Sequence, residues 1–112
     1  NIASIAGRRP LPGASDYCVS KAAVIMLTQT VATEYSTSNI RVNAIGPGFI
    51  ETPMTANIRQ SPEWMDTVMQ MTPMQRMGQA NEIASTALFL ASEESSYFTG
   101  QTLFPNGGMF TG

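Results

Sequence analysis

Ile40-Arg41-Val42-Asn43-Ala44-Ile45-Gly46-Pro47-Gly48 decides the fold class. Residues 40–45 read as a short buried strand interrupted by Asn43. Gly46-Pro47-Gly48 stops it sharply, because proline lacks the amide donor that a continuing ladder needs. Upstream, residues 16–37 read as a helix that Ser15 or Asp16 can cap. Its middle, Ala22-Ala23-Val24-Ile25-Met26-Leu27, is apolar on every side, the pattern of a helix buried all round. In a one-sheet fold one face of such a helix meets the sheet. The other must meet a further helix, for instance across a subunit interface.

Outward from this pair the alternation continues. Residues 1–4 read as the end of a strand, and residues 5–15 as a loop marked by Gly7, Pro10, Pro12 and Gly13. Residues 52–78 form an irregular stretch with short helical pieces. Residues 80–91 carry helical periodicity at Ile83, Ala84, Ala87, Leu88 and Leu90. Thr99-Gly100 turns the chain, residues 101–105 make a last short strand, and a Gly107-Gly108 tail follows. Strand, helix, strand, irregular segment, helix, strand is the order of an α/β protein with a parallel sheet. Such a sheet needs cover on both faces and partners at its edges. Three strands are few for that, and the chain opens on Asn1 in what reads as a strand under way. The expectation is therefore the C-terminal part of a single domain, with further strands preceding Asn1.

Composition narrows the chemistry. Charged residues make up 12% of the chain, against about 25% in an average soluble domain. So sparse a surface charge points to extensive contact with other domains or subunits. The net charge of −2 comes without any basic run, so no nucleic-acid partner is expected. No apolar run approaches the length of a membrane span and no secretory signal is visible, so no membrane association is expected either. The chain has no His, which rules out a Ser-His-Asp or Cys-His site built within it. A lone Cys18 forms neither an internal disulfide nor a thiolate metal cluster, so no metal site is expected, and it fits a cytoplasmic location.

The chemical candidates lie at the start of the first helix. Tyr17 and Lys21 stand one helical turn apart, with β-carbons roughly 5–6 Å from each other. Lys21 is the only lysine in the chain. Free tyrosine loses its proton only near pH ~10, and a neighbouring ammonium stabilises the phenolate. The pair is thus a proton donor and acceptor in outline, although Tyr-x-x-x-Lys also arises by chance in many helices. Ser4 adds to it. It sits at a predicted strand end, and ligands of open α/β sheets bind beyond the carboxyl ends of the strands. A serine there can hydrogen-bond a carbonyl oxygen, or merely cap a turn.

Four segments, taken together, resemble the short-chain dehydrogenase/reductase family, in its 3-oxoacyl-ACP-reductase-like form. They are Asn1-Ile-Ala-Ser-Ile-Ala-Gly7, Tyr17-Cys-Val-Ser-Lys-Ala-Ala23, Arg41-Val-Asn-Ala-Ile-Gly-Pro-Gly48 and Phe98-Thr-Gly-Gln-Thr-Leu-Phe-Pro-Asn-Gly-Gly108. The resemblance implies the C-terminal half of a doubly wound, Rossmann-type sheet and a reversible hydride transfer between NAD or NADP and an alcohol or carbonyl. It implies that Ser4 polarises the substrate oxygen and Tyr17 passes the proton. Lys21 would assist Tyr17 and bind the nicotinamide ribose. Pro47, Gly48 and Ile50 would line the nicotinamide pocket, and Thr52 would bind the carboxamide or pyrophosphate. It also implies a homodimer or homotetramer.

The family's glycine-rich dinucleotide loop is missing. Gly46-x-Gly48 begins such a pattern, but Glu51 stands where its third glycine belongs. The dinucleotide-binding half is expected to precede Asn1. Two other readings remain beside the oxidoreductase: an epimerase or dehydratase of the family's extended branch, and a fragment with a purely structural role.

Six of the eight methionines, Met54, Met65, Met69, Met71, Met74 and Met77, cluster with Trp64 between the second strand and the second long helix. Flexible thioethers suit adaptable apolar surfaces. The segment reads either as a lid over a bulky apolar substrate or as packing against a neighbouring subunit. Arg8 and Arg9 read as part of a solvated loop, and Arg76 as structural.

Overall fold

The computed structural model describes residues 1–112. Helix α1, Ser15–Glu34, begins where the sequence indicates and stops short of residue 37. Neither Ser15 nor Asp16 is its cap. Ala14 holds that position, and the Asp16 carboxylate instead accepts the Tyr17 N–H at 2.8 Å from inside the first turn. A negative charge there also suits the positive end of the helix dipole. A short 3-10 turn, Ser36–Ser38, follows, and Asn39 closes it in the left-handed region at φ 57°, a conformation that asparagine tolerates better than most residues.

The sheet is parallel and brief. Strand β1, Ala44–Ile45, pairs with strand β2, Thr102–Leu103, in the register Ala44 to Thr102 and Ile45 to Leu103. Ile2 bridges Ile45 on the other side of β1, also in parallel. The Ala3 N–H donates to Ile45 O at 2.7 Å and the Ile45 N–H to Asn1 O at 3.0 Å. β1 is therefore the middle of three aligned segments. The strands are shorter than the sequence indicates because side chains take over the backbone pairing at their entry. Asn43 donates to Phe98 O at 2.9 Å and accepts the Gln101 N–H at 3.0 Å. The Val42 N–H goes to Thr99 Oγ1 at 3.2 Å. At the exit, ladder bonds continue as Ile5 N–H to Pro47 O and Gly48 N–H to Pro105 O, each 3.1 Å.

Three further helices follow β1. Helix α2, Ala56–Arg59, is a single turn. Helix α3, Pro62–Met71, lies in the stretch expected to be irregular with short helical pieces. Ser61 caps it by accepting the Trp64 N–H at 3.3 Å, and Pro62 at its first position needs no amide partner. Helix α4, Ala80–Ala91, agrees with the sequence reading at both ends. No helix is long and apolar enough to cross a membrane.

The core is small. Ala3, Ile25 and Ala44 form its centre, with Val24 and Phe104 packed against them. Only 15 of 112 residues are buried, and the radius of gyration is 15.0 Å, against about 13 Å for a compact domain of this length. Helix α1 buries one stripe, Ile25, Thr28 and Ala32. Val19, Met26 and Leu27 are 69%, 60% and 57% exposed. The expectation of burial all round is therefore not met within this chain, since a single sheet face covers a single stripe.

Candidate active site

Ser4 ends the first aligned segment and opens a 3-10 turn, Ile5–Gly7. Its Oγ accepts the Ala6 N–H at 3.1 Å, so it caps the turn, and its own O–H remains available as a donor. The side chain is buried, and the Ile5-to-Pro47 ladder bond holds the turn beside the Gly46-Pro47-Gly48 exit of β1.

Tyr17 lies in the first turn of α1 and is 40% exposed. Its backbone is tied to Asp16 and to the Ser20 hydroxyl, while its phenol hydroxyl has no partner in the chain. The Lys21 ammonium lies 5.7 Å from the centre of the Tyr17 ring. It donates one hydrogen bond, 3.2 Å to Ile2 O, and has donors to spare. The i, i+4 spacing thus brings the pair together as expected, and the Ile2 carbonyl aims the lysine at the end of the sheet.

Ser4 and Tyr17 open on one cavity of about 210 Å³. Ile5, Leu11, Gly48, Phe49, Met54, Thr55 and Ile58 complete its lining. Gly48 is there because nothing larger fits: a β-carbon would stand 2.8 Å from Asn106 Cα. Of the expected cofactor residues, Tyr17 and Gly48 line this cavity, whereas Lys21, Pro47, Ile50 and Thr52 do not. Ile50 lines a second, separate cleft of about 170 Å³, and its side chain presses on Gly78. Thr52 heads the turn Pro53–Thr55, where its N–H donates to Thr55 Oγ1 at 3.2 Å and its carbonyl accepts from Arg59 at 2.9 Å. Pro47 contributes its carbonyl to Ile5 and so positions Ser4. No group of His, Cys, Asp or Glu side chains is arranged to hold a metal.

A family model described as enoyl-(acyl carrier protein) reductase matches residues 1–110. The chain belongs to the short-chain dehydrogenase/reductase family. It is 46% identical over 109 residues to the 3-oxoacyl-acyl-carrier-protein reductase of Thermotoga maritima, covering 97% of this chain and 44% of that one. Among solved structures, it matches 4-hydroxyisoleucine dehydrogenase complexed with NADH at a TM-score of 0.97 and 33% identity, over 100% of this chain and 46% of the other. It matches the gluconate 5-dehydrogenase of Burkholderia cenocepacia, in complex with NADP and tartrate, at a TM-score of 0.94 and 34% identity, over 97% and 43%. The fold is thus α/β of the Rossmann type, and the chain spans less than half the length of these relatives.

Three residues to which the sequence reading gave no role in the site hold the fold together around it. Gly7 lets α1 approach the Ser4 turn. Arg41 donates to Leu90 O at 3.0 Å, Ser92 O at 3.4 Å and Phe98 O at 3.2 Å, gathering the end of α4 and the approach to β2. Arg9, read from the sequence as solvated, donates to Met109 O at 2.8 Å. Arg76 is structural, as expected. Its guanidinium grips Glu82 at 2.8 and 2.9 Å, and Glu82 caps α4 by accepting the Gln79 N–H at 2.8 Å. The Arg76 hydrogen bond and, after it, the Gln79 N–H hold the Glu82 carboxyl down at about 2.

Proposed function

We propose that the protein is an NAD(P)-dependent oxidoreductase that interconverts an alcohol and a carbonyl. Residues 1–112 would be the C-terminal part of one Rossmann-type domain whose dinucleotide-binding half precedes Asn1. One observation carries this reading: a tyrosine whose hydroxyl has no partner, its ring centre 5.7 Å from the only lysine ammonium, at a cavity shared with a serine donor.

The residues suit a nicotinamide nucleotide. Lys21 has N–H donors free for ribose hydroxyls, and Gly48 lines the cavity with no side chain of its own, just after Pro47 at the end of the strand. When bound, the nicotinamide supplies or accepts the hydride. Ser4 donates its O–H to the substrate oxygen and holds it toward Tyr17. Tyr17 gives its phenolic proton to that oxygen during reduction and removes it during oxidation. The Lys21 ammonium stabilises the phenolate that remains. Ile50 and Thr52 lie outside the cavity, and would reach the carboxamide end through the Ile50 backbone and the Thr52 hydroxyl.

Relatives named for 3-oxoacyl-acyl-carrier-protein and for gluconate both match, so the substrate class rests on the cavity itself. Leu11, Phe49, Met54 and Ile58 make its wall mainly apolar, which favours a bulky apolar ketone or alcohol, of the 3-oxoacyl kind, over a polyol. Met54 and Ile58 come from the methionine-rich segment and form the lid. The exposed apolar residues of α1, with Leu88 of α4 at 72% exposure, supply faces for a homodimer or homotetramer.

The test is to express the full-length protein and follow nicotinamide absorbance with medium-chain 3-oxoacyl thioesters and with sugar alcohols. Stoichiometric NAD(P)H consumption with the thioesters is expected. Conversion of a sugar nucleotide without net consumption would instead indicate an epimerase or dehydratase.

A further inference from the structure

The loop from Arg8 to Ala14 joins the Ser4 turn to α1, and Leu11 in it forms part of the substrate cavity. Its backbone bonds are all local. The Arg8 and Arg9 N–H groups go to Ile5 O, and the Ala14 N–H goes to Leu11 O. One hydrogen bond alone ties this loop to a distant part of the chain: Arg9 Nη1 to Met109 O, 2.8 Å, across a sequence separation of 100.

The tail at the other end of that bond is a built hook. Asn106 Oδ1 accepts the Gly108 and Phe110 N–H groups at 2.9 and 3.3 Å, and Asn106 Nδ2 donates to Phe110 O at 3.0 Å. Phe110 packs edge-on against Phe104 with ring centres 5.0 Å apart, and Met109 is buried. The same hook backs another part of the cavity lining, since Asn106 leaves no space for a side chain on Gly48. The tail therefore touches Gly48 on one side and, through Arg9, holds the Leu11 loop on the other.

We propose that Arg9 is a positioning residue for substrate: it latches the tail hook to the Leu11 loop and so sets the width of the cavity between Leu11 and Gly48. This rests on the reading of that cavity as the substrate site. Arg9 touches no reacting atom. Its loss frees the wall that grips the apolar part of the substrate and leaves the Tyr17–Lys21 pair in place, so the effect falls on KM rather than kcat.

The experiment compares Arg9→Ala, Arg9→Lys and Arg8→Ala in the full-length enzyme with a 3-oxoacyl thioester. Arg8 is exposed and its side chain makes no hydrogen bond, so Arg8→Ala removes the same charge without touching the latch. Arg9→Ala is expected to raise substrate KM about tenfold, as for one lost hydrogen bond from a charged donor. Its kcat and its KM for the nicotinamide nucleotide should stay near wild type. Arg9→Lys should recover part of the loss, and Arg8→Ala should match wild type. Equal KM in Arg9→Ala and Arg8→Ala, or a fall confined to kcat or to melting temperature, overturns the proposal.

Amide hydrogen exchange of residues 8–14 reads the latch without turnover, and Arg9→Gln replaces Arg9→Ala there if the alanine variant does not fold. Faster exchange in the Arg9 variant than in Arg8→Ala supports the latch, and equal exchange overturns it. If the wild-type enzyme oxidises or reduces nothing with NAD(P)H, the proposed function fails while the exchange comparison still decides whether Arg9 holds the loop.

Discussion

Gly7 lies so close to Lys21 that a β-carbon on it would stand 2.8 Å from the Lys21 carbonyl carbon and oxygen. The same β-carbon would stand 2.8 Å from Ile25 Cδ1, on the buried stripe of α1. The turn that carries Ser4 and the helix that carries Tyr17 and Lys21 meet at this point with no atoms between them. Gly7→Ala must push them apart. The full-length protein should lose about 1–3 kcal/mol, as for other overpacked interiors. Activity should fall further than stability accounts for, because Ser4 moves relative to Tyr17. Denaturant unfolding alongside steady-state rates measures both; a Gly7→Ala protein with wild-type kcat would show that the contact does not align the site.

Tyr17 contributes little packing, being 40% exposed, and its hydroxyl bonds nothing in the chain. Tyr17→Phe should leave the melting temperature near wild type and lower kcat by about a hundredfold to ten-thousandfold, the span of a lost general acid. Lys21→Met should also lower kcat, and in addition weaken binding of the nicotinamide nucleotide. Fluorescence titration with NADH separates the two: unchanged NADH affinity in Lys21→Met would remove the ribose role from Lys21.

Arg41 gathers three carbonyls from the end of α4 and the segment before β2. Arg41→Met keeps much of the side-chain bulk and removes every donor. Stripping partly buried carbonyls of their partner should cost about 1–3 kcal/mol. Arg41→Lys, with a single nitrogen, should recover only part. A urea midpoint unmoved by Arg41→Met would mean that water replaces the guanidinium freely.

Glu82 gives a pH signature. Its carboxyl sits at about 2 instead of the ordinary 4.5, chiefly because the Arg76 guanidinium hydrogen-bonds it and next because the Gln79 N–H does. A depressed carboxyl stabilises the folded state above pH 4.5, and that contribution fades as pH falls toward about 2. Both partners are close to half exposed, so salt screens the effect. The melting temperature of wild type should exceed that of Glu82→Gln at neutral pH, and the gap should close between those two pH values and narrow in high salt. A gap independent of pH would assign the difference to shape rather than charge.

Local pattern made part of the fold legible. α4 follows from apolar spacing alone, and α1 is foreseen to within a turn. The cap of α1 was misread because Asp16 satisfies an amide from inside the helix rather than from its flank. The short helical pieces expected in residues 52–78 are present as α2 and α3, and Ser61-Pro62 is a start signal of the usual kind that fixes where α3 begins. Of the site, Ser4, Tyr17 and Gly48 line one cavity and Lys21 lies beside the Tyr17 ring, whereas Ile50 and Thr52 turn to other neighbours. The contacts of Arg9, Arg41 and Gly7 are not legible locally, since their partners lie from 14 to 100 positions away.

By itself the sequence determined what depends on neighbours within about one helical turn: the long helices, the stop at Gly46-Pro47-Gly48, and the pairing of Tyr17 with Lys21 on one face. Tertiary structure decided what depends on the far side of a contact. Strand length is such a property, because a strand extends only as far as its partner offers backbone groups, and here Asn43 and Thr99 supply side chains instead. Cavity shape is another, set by how closely Gly7 meets Lys21, how closely Gly48 meets Asn106, and where Arg9 pins the tail.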